Sequence, residues 1–131
     1  MDIDKMDNEK LIRDFIDAWP RLDAKELSTY FTEDGVYHNM PTAPVTGREH
    51  IEVMIAGVIG AWTATKWEVL NLASRGDVVF AERIDRIQTG DSSLELPCTG
   101  VFEIENGKIK VWRDYFDLGT YLKGMTANPT S

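Results

Sequence analysis

The sequence has little of what several large classes of protein require. Of its 131 residues one is a cysteine, Cys98, and no apolar run is long enough to span a bilayer. A single cysteine excludes an internal disulfide framework and is typical of a reducing cytosol. The segment 1–5 is acidic and lacks the apolar stretch of a secretion signal. We therefore expect a cytoplasmic protein that does not insert into a membrane.

Basic side chains are also in short supply. The chain has 14 Lys and Arg residues against 22 Asp and Glu residues, and its formal net charge at pH 7 is −8. Such a chain is repelled by phosphate backbones and anionic lipids, so we expect no nucleic-acid partner and no membrane partner. The acidity favours solubility and is neutral with respect to an uncharged small substrate.

Motifs for metals and cofactors are missing from the sequence. The two histidines, His38 and His50, have no metal-ligand spacing with each other or with Cys98. The segment 57–60 contains two glycines but has neither the lysine nor the strand–turn–helix setting of a phosphate loop. We therefore predict no metal site and no cofactor.

No repeat, low-complexity run or linker divides the chain, so we expect one domain over residues 1–131 with an ordered core of about 8–123. Hydrophobic periodicity changes from helical spacing in the first half to strand spacing in the second. The predicted elements are a helix from Asp7 or Asn8 to Pro20, a helix over 23–31, a turn at 33–35, a strand over 36–40, a helix capped by Thr46, strands over 65–74, 78–88, 94–105 and 109–117, a helix over 118–123 and a loose tail over 126–131.

Helices followed by a meander of long strands define the α+β class. We expect a curved, mixed β-sheet that is wrapped by helices into a cone with one open end, and the interior of the cone is the expected pocket. Asn106 and Gly107 are a strong signal for a tight hairpin between the last two strands. Gly100, in the middle of a long strand, predicts a bend or a bulge.

Three charged residues lie on predicted strands among apolar neighbours. Arg83 and Asp85 alternate on one face of their strand, and Asp114 projects between Trp112 and Phe116. Charges on an apolar face are costly to bury unless they pair, so we expect the arginine to bridge the two carboxylates. Such a group holds one carboxylic acid and one carboxylate, which is an acid–base pair. The alternative, which spacing leaves open, is a salt-bridge network that only orients the strands.

Tyr37 and Asn39 share one face of a shorter predicted strand. A phenol and an amide side by side can hold a water molecule between them. The alternative is that Tyr37 belongs to the core and Asn39 to a turn before Pro41. His38 alternates away from both and is expected at the surface or an interface.

These residues together resemble the limonene-1,2-epoxide hydrolase family. The resemblance extends over roughly 8–121, and it is carried by the segments 37–41, 82–85, 100–102, 107–109 and, most specifically, 112–118. It implies a cone-shaped fold of the nuclear-transport-factor-2-like type, which is also called cystatin-like or SnoaL-like, and usually a homodimer. It further implies one-step hydrolysis of an epoxide without a covalent intermediate, a metal or a cofactor.

The resemblance implies roles for the five polar residues. Asp85 corresponds to the general acid that protonates the epoxide oxygen, and Asp114 to the general base that deprotonates the attacking water. Arg83 lies between them and orients both, while Tyr37 and Asn39 hold the water. Strand faces and the resemblance together predict a pocket for a small hydrophobic epoxide, cyclic or terpene-type, lined by Trp19, Val58, Trp62, Ile87, Leu96, Cys98, Phe116 and Tyr121.

Two other functions remain open from the sequence, because a fold alone does not decide an activity. The first is another enzyme of the same fold, such as an isomerase or a cyclase with a single acid–base residue. Such an enzyme has no need for Tyr37 and Asn39 as a water-holding pair. The second is a non-catalytic binding module, which gains nothing from a buried charged cluster that costs stability.

Overall fold

The computed structural model describes the backbone of residues 2–126 and the side chains of residues 6–125. The elements are α1 (Asp2–Ala18), a 3-10 turn (Trp19–Arg21), α2 (Ala24–Ser28), β1 (Phe31–Asn39), β2 (Val45–Thr46), α3 (Arg48–Ile59), β3 (Ala64–Arg75), β4 (Val78–Thr89), β5 (Ser92–Glu105), β6 (Lys108–Phe116) and α4 (Leu118–Thr126). Thr126 ends α4, and the rest of the predicted tail lies outside the described residues. Within that described range, no helix is both long and apolar enough to cross a membrane.

The six strands form one sheet in the order β2-β1-β6-β5-β4-β3. Strand β1 runs parallel to β6, while all other neighbouring pairs are antiparallel, so the sheet is mixed. The β5–β6 turn places Asn106 and Gly107 at φ angles of 51° and 75°, as the mirror-image two-residue turns of hairpins require. The predicted α+β class with a mixed sheet and helices is confirmed.

One face of the sheet, here called the covered face, packs against the helices and contains the core. Helix α1 lies against β3 and β4, α3 against β1, and α4 against β5. The indole of Trp112 is at the centre of the covered face, stacked on Tyr37 at 4.2 Å and on Phe102 at 5.2 Å between ring centroids. Phe15 of α1 meets Trp112 edge-on at 5.2 Å. The helices and the sheet are therefore joined by aromatic contacts that surround the predicted site.

The predicted boundaries in the first third of the chain are wrong at three places. Helix α1 begins at Asp2, before the predicted caps Asp7 and Asn8. Helix α2 begins as predicted after Asp23, whose carboxylate accepts from the Glu26 amide at 3.1 Å, but it ends at Ser28. Phe31 belongs to β1 and pairs with Ile109, so contact with a distant strand overrides the local helical pattern.

The predicted turn at 33–35 is an irregularity inside β1. The register with β6 shifts between Phe31 and Val36, and the strand continues to Asn39. Thr46 does not cap α3, because it pairs with Val36 in the short strand β2. Gly47 occupies the N-cap position and makes no side-chain cap.

Candidate active site

Strands β4, β5 and β6 bring the charged residues together across a glycine. Arg83 is on β4 and Asp114 is on β6, and between them Gly100 of β5 pairs directly with Asp114. A Cβ atom at Gly100 would lie 2.9 Å from Nη1 of Arg83 and 2.9 Å from Nε1 of Trp112. The strand pairing continues without a register shift through Gly100, so the predicted bulge does not form at this residue. The glycine instead leaves room for the guanidinium.

Arg83 bridges the two carboxylates in side-on and end-on pairs. Its Nε and Nη2 atoms donate to Oδ1 and Oδ2 of Asp85 at 2.9 and 2.8 Å. Its Nη1 and Nη2 atoms donate to Oδ1 and Oδ2 of Asp114 at 2.8 and 2.9 Å. The guanidinium also lies over the Trp67 ring, with Cζ 4.6 Å from the ring centroid. Planar bidentate pairing and stacking together fix the orientation of both carboxyl groups.

Burial decides the electrostatics of this cluster. The Arg83 side chain is 0% exposed, and the Asp85 and Asp114 side chains are 5% and 7% exposed. Burial raises the pKa of Asp85 above its ordinary value; Arg83 opposes this shift and Asp114 reinforces it. For Arg83 burial acts to lower the pKa, but the two carboxylates raise it well above the ordinary value. Asp85 is therefore suited to hold a proton, beside a permanently charged arginine.

Tyr37 and Asn39 face the same cluster from β1. The parallel register with β6 places Tyr37 beside Trp112 and Asn39 beside Asp114. The pKa of Tyr37 is raised well above the ordinary value, first by burial and then by the charge of Asp114, while the Asn39 side chain acts to lower it. The phenol is therefore neutral and keeps a hydrogen to donate. The structure thus brings all five predicted polar residues to one place.

A cavity of about 310 Å³ opens beside these polar groups. Its wall contains Tyr37, Asn39, Asp85 and Asp114, and seven of the eight predicted lining residues, all except Cys98. Arg83 does not line the cavity and acts from behind the carboxylates. The rest of the wall is mainly apolar, and it includes Trp19, which stacks on Trp67 at 4.2 Å between ring centroids.

Five lining residues were not predicted, namely Thr42, Met54, Trp67, Leu118 and Leu122. Sequence signals exist for four of them. Met54 is four residues before Val58 on α3, and Leu118 is four residues before Leu122 on α4, so each pair shares a helix face. Trp67 lies on the same face of β3 as Thr65 and Val69, because successive residues of a strand alternate between its two faces. Thr42 follows β1 in a turn, where no periodicity applies.

Cys98 does not line the cavity, contrary to the prediction. It pairs in register with Arg83, and its Sγ atom accepts a hydrogen bond from Nη2 of that residue at 3.0 Å. Metal-ligand atoms of Asp85, Cys98 and Asp114 all lie within 4.8 Å of one another. Because Arg83 donates to all three residues, the guanidinium is the cation around which this group is arranged.

The sheet order, the covered face and its cavity define a nuclear-transport-factor-2-like protein. A SnoaL-like structure from Shewanella putrefaciens CN-32 has the same fold, with a TM-score of 0.78 and 15% identity over 90% of this chain and 95% of its own. A structure of a Mycobacterium tuberculosis LEH-like epoxide hydrolase (LEH, limonene epoxide hydrolase) has a TM-score of 0.80 and 24% identity, and the match covers 92% of this chain and 90% of that chain.

Sequence comparison then defines the family. Residues 6–127 match the model of the limonene-1,2-epoxide hydrolase catalytic domain. The chain belongs to this family. The curated relative epoxide hydrolase EphG of Mycobacterium tuberculosis is 26% identical over 111 residues, which are 85% of this chain and 74% of the relative.

Proposed function

We propose that the protein is an epoxide hydrolase that adds water to a small hydrophobic epoxide, cyclic or terpene-type, and releases a vicinal diol. One observation carries this proposal. A buried arginine holds two carboxyl groups on the wall of an apolar cavity, and a phenol and an amide lie beside them. Family membership and the epoxide hydrolase relative support the same reaction class.

In the proposed reaction, Asp85 donates its proton to the epoxide oxygen while a water molecule attacks a ring carbon. The ring C–O bond breaks, a new C–O bond forms to the water oxygen, and Asp114 accepts a proton from that water. Tyr37 and Asn39 hold the water in line, which adds a proximity contribution. Each well-placed acid or base accelerates such a step by roughly a hundred- to ten-thousand-fold.

The two carboxyl groups have exchanged protonation states after one turnover. Asp85 is then a carboxylate and Asp114 a carboxylic acid, so a proton must return before the next cycle. Both groups border the cavity, and both are hydrogen-bonded to Arg83. A proton can therefore return through solvent in the emptied cavity without a change in the charge of Arg83.

The cavity supports a small apolar substrate. Its volume of about 310 Å³ lies at the lower end of the usual range of ligand pockets, and the polar groups on its wall are few. An epoxide oxygen is an uncharged acceptor, so it matches a carboxylic acid donor at Asp85. The apolar remainder of the substrate then contacts Trp19, Trp62 and Phe116.

The reaction class is tested by diol formation from limonene oxide and cyclohexene oxide. We expect purified protein to release diol, and Asp114→Asn to lower kcat at least a hundred-fold without loss of the fold, because an amide cannot accept the proton. Near-normal turnover by Asp114→Asn would sink the mechanism. If the native protein forms diol neither from these epoxides nor from bulkier ones, the isomerase, cyclase and binding-module alternatives take its place.

The predicted homodimer also remains a proposal, and the outer face of the sheet supports it. Leu70, Phe80 and Tyr115 are between 42% and 46% exposed on the face that the helices leave open. A patch of exposed apolar side chains on one face of a sheet is a common feature of protein contacts. Sedimentation equilibrium tests this proposal, since a monomer at high concentration contradicts it.

The cytoplasmic location likewise stays a prediction, which fractionation of the native cell tests.

A further inference from the structure

Helix α4 supplies one side of the cavity. Leu118, Tyr121 and Leu122 line it, and their spacing of three and four residues puts them on one face of the helix. Leu122 is also 50% exposed, so this part of the wall borders solvent. None of the five polar site residues is on α4. The distance between this helix and the sheet therefore changes the room for a substrate without changing the charged groups.

The start of α4 is fixed to the end of β6. The Asp117 carboxylate accepts hydrogen bonds from the backbone N–H of Thr120 at 2.8 Å and from its hydroxyl at 2.7 Å. Such a cap holds the first turn of a helix. The Phe116 ring meets the Tyr121 ring edge-on at 6.0 Å between centroids. The position of the helix beyond its first turn then depends on what lies between it and β5.

The far end of α4 meets β5 at a glycine. A Cβ atom at Gly124 would lie 2.5 Å from Cδ1, 3.0 Å from Cγ and 3.1 Å from Cβ of Leu94. Carbon atoms in contact are normally about 3.5–4.0 Å apart. Rotation of the leucine side chain moves Cγ and Cδ1 but not Cβ, which the strand holds in place. A methyl group added at Gly124 therefore pushes the helix away from the sheet.

Leu94 is adjacent to the cavity wall. It is 9% exposed and pairs in register with Ile87 of β4. It also shares a strand face with Leu96, because the two are two positions apart on β5. Both Ile87 and Leu96 line the cavity. Leu94 therefore separates the end of α4 from the sheet directly beside the pocket.

We propose that Gly124 is a specificity-determining residue: because it has no side chain, α4 lies close to β5, and this close approach limits the size of the epoxide that the cavity admits. This inference rests on the proposed function. A larger separation moves Tyr121 and Leu122 away from the opposite wall and leaves both carboxyl groups in place. Gly124 therefore controls the choice between small and bulky substrates more than the rate of proton transfer.

The test compares limonene oxide with the smaller cyclohexene oxide as substrates of Gly124→Ala. The quantity measured is kcat/KM for limonene oxide divided by kcat/KM for cyclohexene oxide. We expect this ratio to rise roughly ten-fold, which is the lower end of what one methylene group contributes to discrimination in a hydrophobic pocket. The change should appear mainly in KM, because the acid and the base keep their positions.

Gly119→Ala is the matched control, because it makes the same change in the same helix. Its added carbon would meet only Oδ2 of Asp117, at an ordinary contact distance of 3.4 Å. Neither glycine has a positive φ angle, so alanine is compatible with the helix at both positions. We expect Gly119→Ala to leave the substrate ratio unchanged. An equal change in the two variants, or an unchanged ratio in Gly124→Ala, overturns the proposal.

Leu94→Ala identifies the contact that positions the helix. It removes Cγ and Cδ1, which are two of the three atoms that the methyl group at Gly124 would meet. Because residues in contact are not additive, we expect the double variant with Gly124→Ala to return the substrate ratio to within about two-fold of the native value. If the effects of the two substitutions on the ratio simply multiply, Leu94 does not hold the helix and the proposal is wrong.

A second readout does not depend on turnover. Isothermal titration calorimetry measures the binding of cyclohexanol and menthol, two unreactive alcohols of different size. We expect Gly124→Ala to change the ratio of their dissociation constants in favour of menthol, and Gly119→Ala to leave it unchanged. A ratio that does not change in Gly124→Ala overturns the role of this glycine and leaves epoxide hydrolysis standing. If the ratio changes but the native protein forms no diol, the control of ligand size by Gly124 is supported while the proposed function fails.

Discussion

Arg83 and Arg86 lie three residues apart on β4 and project to opposite faces of the sheet. Each bridges two carboxylates, and those of Arg83 come from β4 itself and from β6. On the covered face Arg83 is 2.8 Å from both Asp85 and Asp114. On the outer face Arg86 holds its two glutamate partners, from β3 and β5, at the same distance of 2.8 Å. The ion-pair distance alone therefore does not distinguish the two clusters.

Burial distinguishes them. The Arg83 side chain is fully buried, while the Arg86 side chain is 43% exposed and its partners Glu68 and Glu95 are 51% and 69% exposed. Water screens the ion pairs of the outer cluster. In the covered cluster desolvation raises the pKa of Asp85, which makes it a possible proton donor. One arginine with two carboxyl groups therefore forms an exposed ion-pair network on the outer face and a candidate acid–base site on the covered face.

The largest expected effect comes from removing one acid in each cluster. Asp85→Asn should lower kcat for epoxide opening by roughly a hundred- to ten-thousand-fold, because an amide cannot deliver a proton. Glu95→Gln removes an equivalent carboxylate from Arg86 and should leave kcat unchanged. Steady-state rates of diol formation measure both variants. A comparable loss in the two would show that the cluster acts by charge at a distance and not by proton transfer.

The next effect concerns stability and separates the two arginines themselves. Arg83→Ala leaves two buried carboxyl groups without a partner and should reduce the free energy of unfolding by about 3–5 kcal/mol. The loss should grow towards alkaline pH, since the unpaired carboxyls are buried at least cost when protonated. Arg86→Ala should stay within the error of the native value. Urea unfolding at several pH values measures the free energy of unfolding of both variants. Equal losses of this free energy would show that burial does not distinguish the two arginines.

Strand alternation explains why the covered cluster could be predicted from the sequence. Residues that are two positions apart on a strand point to the same face, so the sequence predicts that Arg83 and Asp85 project together. The partner strand of Asp114 followed from the hairpin at Asn106 and Gly107, which sets the β5–β6 pairing. These signals are local, and local signals are what a single sequence carries.

The errors lie where distant contacts decide. Phe31 has a helical neighbourhood in sequence, but it joins β1 because Ile109 pairs with it from the other end of the chain. Leu118 and Leu122 reach the cavity because α4 packs on β5, where Gly124 lies against Leu94. The prediction that Cys98 lines the cavity is wrong because strand alternation gives the correct face of the sheet but not the position of the side chain on that face.

The smallest expected effect concerns Gly100. The Arg83 guanidinium occupies the space that a side chain at Gly100 would fill. A methyl group there would meet Cε1 of Phe102 at 2.8 Å and Nη1 of Arg83 at 2.9 Å. We therefore expect Gly100→Ala to cost about 1–3 kcal/mol of unfolding free energy, as overpacking does. The displaced guanidinium should also lower kcat, with less effect on KM.

Gly57→Ala, where no atom lies within 4 Å of the added carbon, is the control for a glycine change alone. If Gly100→Ala unfolds at the same urea concentration as the native protein and keeps its kcat, the close approach to Arg83 does not constrain the cluster, and strand pairing alone must hold the carboxyl groups in place.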